Sequence, residues 1–149
     1  MRAVVQRVIE ARVEVDREVV GATGRGLVAF IGAEQGDTER DAVYVADKIA
    51  GLRVFEDERG KMARSAIDEG AGVLAISQFT VLGDVRRGKR PSFDRAMEPL
   101  EAERLFGLCV QQVRSRGVRV ETGVFGAMMR VVVDNDGPVT VLIDSRKAF

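Results

Sequence analysis

The 149-residue chain predicts a single compact α/β domain, residues 1–149, with a mixed β-sheet in layers and two main helices. Three observations carry that class. Short alternating or continuously apolar runs, the pattern of strands, outnumber segments with a helical period. Two longer amphipathic segments are bounded by helix start and stop residues. No internal repeat, low-complexity tract or linker divides the chain. A chain of this length buries about 68–70% of its unfolded surface, enough for one core.

Alternation over Ala3 to Val8, Ala11 to Val15 and Val19 to Val20, with Gly21, Gly24 and Gly26 as turns, predicts paired strands near the start. Leu27 to Ile31 is a continuous apolar run ended by Gly32 and fits one buried strand. The first helix is expected from Thr38 to Ala50, with Asp37 or Thr38 as cap, Val43, Ala46, Ile49 and Ala50 on one face, and Gly51 as its stop. Leu52 to Phe55 reads as a strand and Asp57-Glu58-Arg59-Gly60 as a hairpin-like turn. Val73 to Ser77 is a short buried strand. The second helix starts near Pro99 and stops at Gly117, with Ala102, Leu105, Phe106, Cys109, Val110 and Val113 as its apolar stripe. Strands follow near Val118 to Glu121, Val124 to Asp134 and Val139 to Ile143.

Composition removes several kinds of chemistry. The chain has no histidine and a single cysteine, so a Ser-His-Asp or Cys-His mechanism is impossible within it, as is a tetrahedral zinc site of nitrogen and sulfur ligands. Carboxylates show no diagnostic metal spacing, and no cofactor is expected. Cys109 lies on the stripe of the second helix and reads as core rather than as a nucleophile. One cysteine excludes an internal disulfide, no apolar run approaches a membrane span, and the charged start does not resemble a signal peptide, so the expected location is cytoplasmic. With 23 basic and 23 acidic residues the net charge is zero, and any affinity for nucleic acid must come from a local patch. Arg86-Arg87-Gly88-Lys89-Arg90 is the densest such run. Its Gly88 and the following Pro91 make it a loop, either solvated or in contact with phosphates.

Two motifs stand out from the strand pattern. Asn135-Asp136-Gly137-Pro138-Val139-Thr140 sets a Gly-Pro pair between strand-like runs, where proline removes a ladder donor; a tight turn or a special backbone geometry must intervene. Ser77-Gln78-Phe79-Thr80 sits at the end of a buried strand, where an α/β domain exposes polar groups on rigid support. Hydroxyls and backbone amides there can place a scissile carbonyl and bind an oxyanion. Thr80 as a covalent nucleophile lacks a base, and an ordinary strand role stays open.

With Gln6-Arg7-Val8, Gly60-Lys61-Met62, Arg90-Pro91-Ser92-Phe93 and Phe125-Gly126-Ala127, these blocks run in family order from residue 2 to about 143. The chain resembles D-aminoacyl-tRNA deacylase of the bacterial and eukaryotic type. The resemblance implies a homodimer that hydrolyses the ester of D-aminoacyl-tRNA, and of mischarged glycyl-tRNA. It implies a cis Gly137-Pro138 unit that holds the substrate's amino group and reaches into the partner's pocket, with Val139 and Thr140 beside it. Arg7 braces that unit or is an exposed strand arginine. Ser77, Gln78, Phe79 and Thr80 carry the catalytic role, and Arg86, Arg87, Lys89 and Arg90 face tRNA. Phe79, Phe93, Phe125 and Met129 line the site for adenine or amino acid or pack in the core; Phe93 is favoured as a pocket neighbour. Val81 stands where the family often has leucine, a trimmed apolar volume. The 2′-hydroxyl of the terminal adenosine can assist hydrolysis, in keeping with a histidine-free chain. Competing readings are a relative that edits an L-amino acid with a trans Gly-Pro unit, a non-enzymatic RNA-binding module, and a thiol enzyme.

Overall fold

A computed structural model describes all residues, 1–149. Strands β1 (Arg2–Val15), β2 (Glu18–Thr23) and β3 (Gly26–Gly32) form an antiparallel meander, followed by helix α1 (Glu39–Gly51). A small hairpin, β4 (Phe55–Glu56) and β5 (Met62–Arg64), and a one-turn helix α2 (Ala66–Glu69) lead into β6 (Gly72–Ser77). A 3₁₀ turn (Phe79–Leu82), helix α3 (Pro99–Ser115), β7 (Val120–Thr122) and β8 (Arg130–Asp144) complete the chain. The main sheet has six strands: β3, β6 and β7 run parallel, whereas β2, β3 and β8 each pair antiparallel with β1. The mixed sheet and the two long helices agree with the predicted class.

Both long helices start and stop for local reasons. Thr38 is the extended N-cap of α1, and the Asp41 carboxylate returns to its backbone N–H at 2.8 Å, a reciprocal capping box. Pro99 occupies the first turn of α3, where its missing N–H costs nothing, and Gly117 beyond its end adopts φ +84°. Ala42, Val45, Ala46, Ile49 and Ala50 of α1 face Leu105, Cys109, Val110 and Val113 of α3 in one core with Ala3, Val5, Leu27, Ala29 and Val73 of the sheet. Each large aliphatic side chain buried this way stabilises the domain by roughly 1.5–3 kcal/mol. On the opposite face Val8, Ala11, Val13, Val28, Leu74 and Ile76 form a smaller core. There β2 comes so close to β7 that a Cβ on Gly21 would lie 2.4 Å from the Thr122 carbonyl oxygen.

Several predicted assignments change, among them Gly21, which lies inside β2 rather than at a turn. Ala3–Val8 and Ala11–Val15 are one strand, because register shifts between Gln6 and Glu10 bend β1 and turn Ile9 and Glu10 outward without ending the ladder. Val124 to Met129 is a loop with Gly126 at φ +76°, so β8 begins at Arg130. Leu52 to Val54 lies outside the sheet, leaving Phe55–Glu56 as the strand. Val43 is 37% exposed while Ala42 and Val45 face the core, a rotation of the predicted stripe by about one residue. No helix is long and apolar enough to cross a membrane.

Candidate active site

β6 carries the first motif. Five of its six residues are buried, and it emerges at Ser77, where the Gln78 N–H donates to the Ile31 carbonyl at 2.8 Å and fixes the exit from the sheet. The chain then closes into the 3₁₀ turn, which lies on Gly32: a Cβ there would stand 2.7 Å from Val81 Cγ2 and 2.8 Å from the Gln78 oxygen. The smaller Val81 therefore packs directly on bare backbone. Gln78 Nε2 donates to Thr80 Oγ1 at 2.8 Å, which occupies an acceptor position of the hydroxyl and leaves its own O–H to point elsewhere. The first N–H groups of such a turn lack intrahelical acceptors. Phe79, 56% exposed, meets Phe93 edge to face at a centroid distance of 5.2 Å. Ser77, Gln78, Phe79, Thr80 and Phe93 are thus brought together at one end of the sheet.

The second motif is not a turn between two strands. β8 runs unbroken through it, and the Gly137-Pro138 bond is cis with Gly137 at φ +123°. β8 accommodates the proline with a local loss of register opposite Arg7, between the Gln6–Thr140 and Val8–Asn135 pairs. Arg7 is 7% exposed, which removes the exposed strand arginine from its two alternatives. It shares the inward face of Ala3 and Val5, a placement visible in the two-residue alternation. Its NH1 donates to the Val54 carbonyl at 2.6 Å, and its Nε lies 3.1 Å from Asp136 Oδ2, off the N–H axis and so an ion pair rather than a hydrogen bond. The Asn135 amide donates to the Arg7 carbonyl at 2.9 Å and to the Val139 carbonyl at 3.0 Å, clasping the motif from both sides. Gln6 donates to Thr140 Oγ1 at 3.1 Å. Val139 is buried, while Gly137, Pro138 and Thr140 are exposed. Asn135, Asp136 and Gln6 are bracing residues to which the residue pattern alone assigns no role.

Within one chain the two motifs do not meet. Ile31, beside Ser77, pairs with Ala3, whereas Gly137 lies opposite Arg7, four residues further along β1, with β1 and β3 between. The separation is roughly 13 Å along the strands and 14 Å across them.

The remaining predicted residues divide. Met129 packs into the smaller core beside Ile76, and its sulfur would lie 2.5 Å from a Cβ on Gly123. Phe125 tilts against Phe106 at 6.3 Å. A shallow cleft of about 310 Å³ is lined by Met129 with Glu14, Asp16, Arg17, Met128 and Arg130; another of about 220 Å³, around Ala11 and Thr23, contains no predicted residue. Neither encloses Thr80. The basic run forms the tip of a loop closed by paired backbone bonds between Asp84 and Ser92. Arg86 is tied back to Asp84 through Nε at 3.0 Å, and this guanidinium holds the Asp84 carboxyl far below the usual carboxylate range. Arg87, Lys89 and Arg90 are exposed and make no ion pair.

Cys109 is fully buried, and burial pushes its thiol up to about 12, with the N-terminal ammonium and Arg116 pulling weakly the other way. A thiolate is therefore scarce below pH 11 in the native state. A disulfide reagent at pH 8 is expected to leave the folded protein unmodified and to label one thiol after unfolding in urea. Rapid native labelling would restore the thiol enzyme as a candidate.

Comparison with known proteins places the whole chain in one family. Residues 4–144 match the family model described as D-Tyr-tRNA(Tyr) deacylase. The chain is 63% identical to a D-aminoacyl-tRNA deacylase of Sorangium cellulosum and 56% identical to one of Thermoanaerobacter, each over the full length of both chains. Among solved structures, the c-Myc DNA Unwinding Element Binding Protein is 40% identical and superimposes with a TM-score of 0.91, covering 97% of this chain and 98% of its own. A probable eukaryotic D-amino acid tRNA deacylase, 17% identical, shares the fold with a TM-score of 0.82 over 95% and 97% of the two chains. On a full-length match in sequence and fold, the chain belongs to the D-Tyr-tRNA(Tyr) deacylase family, a family of hydrolases.

Proposed function

We propose that this protein hydrolyses the ester of D-aminoacyl-tRNA, and of mischarged glycyl-tRNA, releasing free tRNA and the amino acid. The observation that carries this reading is the exposed Gly137-Pro138 backbone clasped between a buried Arg7 and Asn135. A backbone fixed so firmly can offer its carbonyls to the substrate's amino group and reject by contact a side chain of the wrong hand. Glycine, with no side chain, escapes that rejection. Because the motif and the Ser77–Thr80 segment are far apart in one chain and both reach the surface, a complete pocket takes one from each of two copies in a homodimer.

The chemistry follows from what the pocket holds. The Thr80 hydroxyl and the free N–H groups of the 3₁₀ turn stabilise the oxyanion formed when water attacks the ester carbonyl, each donor contributing about 2.7–4 kcal/mol. With no histidine in the chain, the 2′-hydroxyl of the terminal adenosine activates the water. The test measures release of amino acid from D-tyrosyl-, L-tyrosyl- and glycyl-tRNA, with and without chelator, and from D-tyrosyl-tRNA ending in 2′-deoxyadenosine. D and glycyl substrates should be cleaved with the L substrate intact and chelator without effect. An undiminished rate on the deoxy substrate would rule out substrate assistance. A relative that edits an L-amino acid would instead release L-tyrosine, so the same assay separates the two readings.

A second reading, nucleic-acid binding without turnover, draws on the unpaired Arg87, Lys89 and Arg90 and on the DNA-binding name of one structural relative. It predicts tRNA retention with every ester intact. In either case, removing these three cations should weaken tRNA binding and lower the salt slope by about 0.7–0.9 for each phosphate no longer neutralised, measured by titration at several salt concentrations. Arg86→Ala should matter less, since Asp84 already holds that guanidinium.

A further inference from the structure

We propose that Glu34 is a positioning residue for the aminoacyl end of the substrate: its buried carboxylate latches the 84–97 segment to the end of β3 and so sets Phe93 against Phe79. Glu34 is 2% exposed, and burying a lone carboxylate is unfavourable unless it is paired. Its Oε1 meets the guanidinium of Arg95 and that of Arg146, the latter at 3.3 Å, while Oε2 has no hydrogen-bond partner. Arg95 stands two residues after Phe93. Backbone bonds follow the same path: Gln35 N–H to the Arg95 carbonyl at 2.8 Å, Met97 N–H to the Ala33 carbonyl at 3.0 Å, and the Gln35 amide to the Asp94 carbonyl at 2.8 Å.

Apolar packing on the main core holds this segment only at its end, through the half-buried Met97. Pro91, Asp94 and Arg95 are exposed, and Phe93 is half-buried against Phe79 and the bare Gly83, where a Cβ would lie 3.0 Å from Phe93 Cε1. A segment so thinly packed opens locally at low cost. The carboxylate supplies a directional anchor beside the aromatic pair, and β3 carries that anchor on the same rigid end that receives the Gln78 N–H.

This inference rests on the reading of Phe79 and Phe93 as pocket residues, and the experiment separates the two. Glu34→Gln keeps the volume and removes the charge; Arg95→Met keeps the stem of an exposed side chain. Each is expected to raise KM for D-tyrosyl-tRNA about ten-fold with kcat within two-fold, and the double variant to be no worse than either single one. Amide exchange should quicken in residues 84–97 and stay unchanged in β6 and α3. An unchanged KM, additive effects, or faster exchange spread evenly over the molecule would overturn the latch. Failure of the unaltered protein to cleave D-tyrosyl-tRNA would overturn the proposed function, and the exchange pattern would still decide the latch.

Discussion

Asp37→Asn is expected to lower the unfolding free energy by about 3–5 kcal/mol, the usual effect of stripping one partner from a buried ion pair. The Asp37 carboxylate and the Met1 ammonium are both fully buried and 2.6 Å apart. The same Oδ2 accepts the Glu34 N–H at 2.6 Å, and Oδ1 accepts Arg146 at 3.0 Å. Both carboxylate edges therefore face donors. Asparagine must turn its own N–H₂ toward one of them, leaving a buried cation or amide without an acceptor. The ammonium also donates to Ser145 Oγ, which donates to Asp41 at 2.6 Å. Burial pushes Asp41 up, but the Ser145 and Thr38 hydrogen bonds and the ammonium outweigh it and hold it below its ordinary 3.8. That contribution is present above pH 3.8 and lost as the pH falls through the lower folded value. For a chain of this size the midpoint in a thermal scan should drop by roughly 6–20 °C. Asp47→Asn, whose partner Arg116 is 3.6 Å away at the surface, should barely move it. A loss under 1 kcal/mol for Asp37→Asn would show that the ammonium finds another partner.

Where local chemistry and tertiary packing agree, the fold could be read from the residues. α3 is the clearest case, since Pro99, the stripe through Leu105, Cys109 and Val113, and Gly117 each speak for the same boundaries. β6 was legible because a run of apolar residues too short for a helix ends in polar ones. The continuity of β1 and β8 was not, because a bulge and a proline look like strand ends when the ladder across them is unseen. Arg7 shows the same limit. Alternation places it inward, but only the Val54 carbonyl and Asp136, brought there from distant parts of the chain, make burial of a guanidinium tolerable. Glu34 and Arg95 lie 61 residues apart in ordinary loop sequence, and nothing in either stretch announces their meeting.

Gly137→Ala should reduce hydrolysis of D-tyrosyl-tRNA by about 100-fold, the scale at which a displacement of about 1 Å in a positioning group is felt. The first reason is conformational: φ +123° is closed to an L side chain. The second is space. A Cβ at this position would lie 2.8 Å from Val139 Cγ2, 3.1 Å from the Val139 nitrogen and 3.2 Å from Arg7 NH2. Val139 is buried and Arg7 is held by the Val54 carbonyl, so neither neighbour can retreat, and the exposed backbone of Gly137 and Pro138 must move instead. If the two carbonyls hold the substrate's amino group, moving them removes both orientation and the contact that distinguishes one hand from the other. The D-to-L rate ratio should therefore fall along with the D rate. Thermal unfolding separates this from collapse of the sheet, because Gly137 and Pro138 are exposed and only Val139 of the motif belongs to the main core. A well-folded variant that kept its D-to-L ratio would take chiral selection away from this backbone and return it to the walls around Thr80.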